Sequence, residues 1–217
     1  MISVAIDGPS GVGKSSVSKK IAKVFGFLHV NTGNLYRCVA YYAKEKGVPV
    51  NEIESCLKNI KVNLAFDGGR QKTILNGEDV TNFLKDEKIA NLASEISEKK
   101  SVRDFLLFVQ RNVAKSNNVV MDGRDIGTVV LPNATIKIFL TANVNVRAKR
   151  RFLELREKGD KKTSYEEVLN LLVQRDRRDT SRTVAPLKKA PDATVIDTSN
   201  LNFEETVSKV EKIIKSC

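Results

Sequence analysis

A chain of 217 residues has room for one main domain, or for one domain carrying an insertion. Its 41% hydrophobic and 29% charged residues support a sizeable core and exclude a disordered polyelectrolyte. The 37 lysines and arginines outweigh 26 acidic residues to give +11, so whatever the protein engages is expected to be anionic.

The chain opens on a short apolar run, Ile2, Val4, Ala5 and Ile6, that reads as a buried strand. It runs into Gly8, Pro9, Ser10, Gly11, Val12, Gly13, Lys14 and Ser15, which match the phosphate-loop pattern G-x-x-x-x-G-K-[ST] at every fixed position. Val17, Ile21 and Val24 then recur at helical spacing, predicting a helix over 16–25 that Gly26 ends. A short strand over 27–30 delivers the chain to Asn31-Thr-Gly-Asn-Leu-Tyr-Arg37, a polar turn opening a second helix that Gly47-Val-Pro49 stops. Asn51 is expected to cap a short helix reaching Asn59.

The period then changes. Residues 61–67 alternate polar and apolar, Gly68 and Gly69 turn, and 72–76 return, with 77–80 as a candidate third strand. This is a small antiparallel insertion in an otherwise alternating β/α chain. Helices are predicted over 82–98 and 102–115, and a buried strand over 119–121 ends in Asp122-Gly-Arg-Asp125. After a core strand at 136–140 come a basic helix over 144–158, another helix over 164–178, a last strand at 193–196 and an amphipathic closing helix over 203–215. Five apolar strands separated by helices predict a parallel, doubly wound sheet with ligands beyond the strand C-terminal ends. The clusters at 8–15, 31–37 and 122–125 each follow a strand, so they are expected to converge on one cleft.

Glycines let the phosphate loop wrap an anion, and the following helix N-terminus aims N–H groups at it. Lys14 is expected to bridge the β- and γ-phosphates of a nucleoside triphosphate and the Ser15 hydroxyl to ligate Mg²⁺. The chain lacks the base-reading N-K-x-D of a GTPase and the strand of four apolar residues ending in an acidic pair that a motor-type ATPase usually needs. Instead, arginines are spread over separated sites, including Arg37, Arg103, Arg124, Arg147, Arg150, Arg151, Arg175, Arg178 and Arg182. Forked guanidiniums suit phosphoryl transfer between two nucleotides, which needs two anions aligned and neutralised. The unclustered Cys38, Cys56 and Cys217 indicate neither a metal site nor a disulfide framework, and suit a reducing cytoplasm. His29, the only histidine, follows Phe27 and Leu28 and is expected to be structural or superficial. No run of 18 apolar residues is present to span a membrane, and no secretion signal precedes the first strand.

Four stretches together, the phosphate loop with its strand, Asn31–Arg37, Asp122-Gly-Arg-Asp-Ile-Gly-Thr-Val-Val130 and the segment from Arg175 to Pro186, resemble the bacterial cytidylate kinases over nearly the whole chain. The resemblance implies a three-layer α/β/α phosphate-loop fold with a five-stranded parallel sheet, a helical lid and the antiparallel insertion. It divides the chain into a core (1–30, 105–145 and 183–217), a monophosphate-binding insertion (31–104, hairpin at about 60–80) and a lid (about 146–182). It implies transfer of the ATP γ-phosphoryl group to CMP or dCMP with Mg²⁺, by a cytoplasmic monomer without nucleic-acid or membrane partners. Residues 8–16, Ser16 included, with Arg147, Arg151, Arg175 and Arg178, would bind ATP. Thr32, Arg37 and Arg124 would line the monophosphate pocket, Ser94 and Arg103 contact cytosine, Asp125 hold the sugar, and Asp179 and Arg182 contact sugar and phosphate. Lys14, Arg124, Arg182 and Asp125 would carry the chemistry, and Asp122 is placed to hold Mg²⁺ through water. The family commonly has aspartate where this chain has Asn31, which leaves the role of that position open. Two alternatives remain: a phosphate-loop kinase for shikimate, gluconate or another nucleotide, and a basic nucleic-acid-binding protein switched by ATP. Aromatics at 6% with no Trp give the latter little to stack bases on.

Overall fold

The computed structural model describes residues 1–216; Cys217, the third cysteine, lies outside the described residues. Strand β1 (Ser3–Asp7) leads through the phosphate loop into helix α1 (Lys14–Phe25), followed by β2 (Leu28–Asn31) and α2 (Gly33–Glu45). A short α3 (Ile53–Cys56) precedes β3 (Val62–Asp67), β4 (Arg70–Leu75) and β5 (Glu78–Asp79). Then come α4 (Glu87–Ile96), α5 (Lys100–Ser116), β6 (Val119–Gly123), β7 (Ile136–Thr141), α6 (Val144–Glu157), α7 (Tyr165–Ser181), β8 (Thr194–Asp197) and α8 (Phe203–Lys215).

The five-stranded sheet has the order β2-β6-β1-β7-β8, and every pairing in it is parallel. Alternation sorts the strand residues between the two faces. Val4 and Ile6 pack with Val17 and Ile21 of α1 and Val207 and Val210 of α8, while Ala5 packs with Val30 and Met121 toward α5. Each fully buried Ile or Leu contributes about 1.5–3 kcal/mol, so these two interfaces dominate the stability of the layer. A third cluster, including Leu35, Val39, Ile53, Leu84 and Leu106, joins α2, α3, α4 and α5 beside the antiparallel sheet. The α6–α7 pair buries a smaller cluster around Ala148, Val168 and Leu172. Two-residue closure by Gly68 and Gly69 sets the β3–β4 register, which pairs Phe66 with Gln71.

Several predicted boundaries move. Ile2 lies outside β1 and is 42% exposed. Asn51 makes no cap: an extended Pro49 starts a 3₁₀ turn there, and the buried Ile53 anchors the helix that follows. The helix expected over 82–98 starts only at Glu87, because Asp86 is extended and its carboxylate caps the Lys88 N–H at 2.8 Å. Helix α5 begins two residues earlier than predicted, and α7 runs on to Ser181. Residues Ile126–Val130, between the predicted strands, form one π-helical turn. Among the described residues, no helix is long and apolar enough to cross a membrane.

Candidate active site

The three polar clusters meet at the C-terminal edge of β1, β2 and β6. Gly8, with φ 151°, approaches β7 so closely that a Cβ would stand 2.1 Å from the Leu140 carbonyl oxygen. Only glycine fits there. Lys14 is buried, and its ammonium donates to the Pro9 carbonyl at 2.7 Å. Burial, reinforced by the Arg124 guanidinium, pulls the Lys14 ammonium well below its usual range.

Beside the loop, Ser15, Asn31, His29 and Asp122 form one hydrogen-bonded corner. The Ser15 hydroxyl donates to Asp122 Oδ2 at 2.7 Å, and Asn31 Nδ2 donates to Ser15 Oγ at 2.9 Å. Asn31 Oδ1 accepts the Asn34 N–H at 3.2 Å, which fixes which end of the amide faces Ser15. An aspartate at 31 would compete with Asp122 for the single Ser15 proton; asparagine supplies a donor instead. His29 Nε2 lies 2.6 Å from Asp122 Oδ1. The β4 side chain of Gln71 clasps the Asn31 backbone, accepting its N–H at 2.7 Å and donating to its carbonyl at 3.3 Å. Thr32 gives both its N–H and its hydroxyl to the Asp122 carbonyl.

This corner suits a hard divalent cation. Ser15 Oγ has given its proton to Asp122 and accepted one from Asn31, which leaves one lone pair uncommitted. Among the described residues, no cluster of three His, Cys, Asp or Glu side chains could cage a metal. One uncommitted hydroxyl lone pair beside a carboxylate is a donor set that Mg²⁺ can use, since that ion usually takes one or two protein oxygens and completes its shell with phosphates and water.

Across the cleft runs a chain of alternating charges. Arg103 pairs with Asp125, Asp125 lies 3.7 Å from Arg182, and Arg182 lies 3.8 Å from Asp179. Asp179 then takes Arg124 Nε at 2.6 Å, and Arg124 reaches the Ser10 hydroxyl at 3.4 Å. Burial opposes ionisation of Asp179, but Arg124 and Arg182 outweigh it and hold the carboxyl below its usual range. A Cβ at Gly123 would stand 2.6 Å from both Thr32 Oγ1 and Ile126 Cδ1, so any larger residue there would push those two side chains aside. Arg175 is pushed down to about 10 by burial and then by Arg124, and its Nε is buried with no hydrogen-bond partner. Burial and then Arg124 lower Arg37 likewise. Arg124 thus lowers Lys14, Arg37 and Arg175 alike, while Asp179 raises Arg124 itself against the cost of its burial.

The remaining predicted residues are placed as follows. Ser94 is buried with its hydroxyl unbonded, while Arg103 also donates to the Ser97 carbonyl and lies over the Tyr36 ring. Arg147 is committed to protein acceptors: the Ala142 and Ser10 carbonyls, each at 2.9 Å, and Asp176 at 2.5 Å. Arg151 pairs with Glu87 and Glu154, and Arg178 lies 3.6 Å from Glu95, so both are held by carboxylates. Arg150 donates to the Thr198 and Leu201 carbonyls.

Sequence reasoning passed over three residues of the site. Asp7 accepts the Ile126 and Gly127 N–H groups at 2.8 and 2.7 Å, fixing the turn behind Asp125. It ends a buried strand as Asp122 does, and that signal was available. Asp176 accepts the Ser10 N–H at 3.1 Å and ties α7 to the phosphate loop. His29 was visible as the one histidine, but its partner depended on the β2–β6 register.

The family model for cytidylate kinase matches residues 4–216. A cytidylate kinase from Thermodesulfovibrio yellowstonii is 49% identical over 217 residues, covering 96% of each chain. One from Caldicellulosiruptor saccharolyticus is 45% identical over 212 residues, covering 96% of this chain and 93% of that one. Among solved structures, an uncharacterized protein from Eubacterium ventriosum superposes with a TM-score of 0.54 at 15% identity, covering 100% of this chain and 99% of that one, which speaks to the fold alone. Matched from its fourth residue to its 216th, the chain belongs to the cytidylate kinase family.

Proposed function

We propose that this protein transfers the γ-phosphoryl group of ATP to CMP or dCMP, giving CDP or dCDP and ADP. The observation that carries the reading is the contact between Arg124 and Ser10, which joins the phosphate loop to the Arg103–Asp125–Arg182–Asp179–Arg124 chain. One guanidinium thereby stands between a triphosphate cradle and a second buried anion site. An oxygen of the acceptor monophosphate attacks the γ-phosphorus, the bond from that phosphorus to the β–γ bridging oxygen breaks, and ADP departs with the electron pair. The attacking oxygen is already anionic, so no general base is needed.

In this reading Lys14 and the free backbone N–H groups within the loop 8–16 hold the β- and γ-phosphates, and Arg175 neutralises charge from the lid side. Pro9 has no N–H to give, and that of Ser10 is taken by Asp176. Arg147, Arg151 and Arg178 serve ATP from the same segment, Arg147 by bracing the Ser10 carbonyl. Arg37, Arg124 and Arg182 clamp the monophosphate with Thr32, Asp125 and Asp179 hold the sugar, and Ser94 and Arg103 face the base. The Ser94 hydroxyl supports that last role, since it is buried without a protein partner and so is free to bond a ligand. Ser15 would hold Mg²⁺ directly and Asp122 through water, where the ion would neutralise the bridging phosphate charge. The core, monophosphate-binding and lid division at 1–30, 105–145 and 183–217, 31–104 and 146–182 belongs to the same reading. So does a cytoplasmic monomer acting on small molecules, with neither nucleic acid nor membrane.

A coupled ADP-release assay with Mg·ATP and CMP, dCMP, UMP, AMP or GMP as acceptor tests this. Turnover with CMP and dCMP far above the rest is expected. Equal turnover with UMP would break the base assignment, and no turnover with any acceptor would overturn the kinase reading. Lys14→Ala should lower kcat at least about 100-fold, a loss of about 3 kcal/mol of transition-state stabilisation.

A further inference from the structure

The carboxylate of Asp122 is 3% exposed and both its oxygens have donors, one from each side of the corner. Ser15 Oγ takes Oδ2 and His29 Nε2 takes Oδ1. The terminal torsion of an aspartate is broad and sets no orientation by itself, so these partners decide how the carboxylate stands. Parallel pairing of Leu28–Asn31 with Val119–Asp122 puts His29 opposite Val120 and Asn31 opposite Asp122, on one face of the sheet. The side chain of His29 is 14% exposed and reaches along that face to the Asp122 carboxylate.

We infer that His29 is a positioning residue for Mg·ATP: its Nε2–H holds Asp122 so that the second oxygen keeps the Ser15 proton, leaving one Ser15 lone pair uncommitted. The inference rests on the reading of Ser15 and Asp122 as the metal corner. Without the His29 donor, Asp122 turns to satisfy its stranded oxygen. The Ser15 hydroxyl then loses its fixed acceptor and rotates. An outer partner of this kind acts on the metal-loaded nucleotide and leaves contacts between the loop and bare phosphates in place.

The test is calorimetric titration of ATP into the full chain, once with Mg²⁺ and once with EDTA. His29→Leu removes the donor and keeps apolar bulk, whereas His29→Gln places an amide N–H near the position of Nε2. His29→Leu is expected to weaken binding about tenfold in Mg²⁺ and to change it less than about twofold in EDTA. His29→Gln should return the Mg²⁺ value to within about threefold of wild type. In an Asp122→Asn background, His29→Leu should add no further loss. Thermal melts monitor folding; should His29→Leu not fold, His29→Asn, whose shorter amide falls short of Asp122, takes its place against His29→Gln. Equal losses in both media, no loss in Mg²⁺, or a Gln variant as weak as the Leu variant overturns the inference. A wild type that binds ATP equally with and without Mg²⁺ removes the reading of Ser15 and Asp122, and the inference with it. A Mg²⁺-dependent wild type beside an unaffected His29→Leu removes the inference alone.

Discussion

Ser94 and Arg103 are proposed for the same base, yet their surroundings separate them. Arg103 holds Asp125 and the Ser97 carbonyl, so truncating it leaves the buried Asp125 carboxylate to Arg182 alone at 3.7 Å and destabilises the fold by about 3 kcal/mol. The Ser94 hydroxyl has no partner to lose. Ser94→Ala should therefore leave unfolding stability within about 1 kcal/mol while raising the KM for CMP severalfold, by about 1 kcal/mol of lost hydrogen bonding. Urea unfolding and steady-state kinetics on one preparation check both. Asp7 offers a pH test. Burial, ahead of the opposing Gly127 and Ile126 N–H bonds, raises its carboxyl to about 6 from 3.8. A raised carboxyl stabilises the folded state fully below the unfolded value and loses that contribution as pH rises through about 6. Between pH 4 and pH 7, wild type should thus lose about 2.4 kcal/mol that Asp7→Asn does not, measured as the change in their stability difference. At the residue scale the phosphate loop was fully legible, because its pattern is local. The partners of Asp122 and Ser10 were not, because a histidine 93 positions away and a carboxylate 166 positions away come together only through folding.

Helix α7 begins with a capping box: Ser164 accepts the Glu167 N–H at 3.2 Å while Glu167 accepts the Ser164 N–H at 2.7 Å. The pair it forms with α6 buries far less apolar surface than the sheet faces, so end effects weigh heavily there. Ser164→Ala should destabilise the first turn of α7 by about 1 kcal/mol. Amide exchange should quicken in residues 165–169 while β1 and β6 keep their protection. Elements with strong apolar periodicity, such as α1 and α8, were legible from that spacing. The start of α4 was not, since Asn82 and Asp86 are both acceptable caps in isolation. Asp86 prevails because Leu84 is buried within a 3₁₀ turn that a continuous helix would displace.

The whole molecule carries +11, and its cleft gathers Lys14, Arg37, Arg124 and Arg175 within mutual influence. Raising ionic strength from about 50 to about 300 mM shortens the Debye length from about 14 to about 6 Å. The KM values for ATP and for the acceptor should rise about three- to tenfold, with kcat within about twofold, in initial-rate measurements at saturating Mg²⁺. A parallel sheet was legible from five apolar strands separated by helices. Its lateral order was not, because which strand lies beside which is written in no local pattern. That order has a consequence for synthesis. Strand β1 sits between β6 and β7, and β2 pairs with β6 alone. While the ribosome makes the first 118 residues, neither early strand has a neighbour to bond, and Val4, Ala5 and Ile6, all fully buried at the end, must wait. The chain thus leaves the exit tunnel with its future centre exposed, and a stalled fragment ending before Val119 is a natural client for a chaperone that grips short apolar segments.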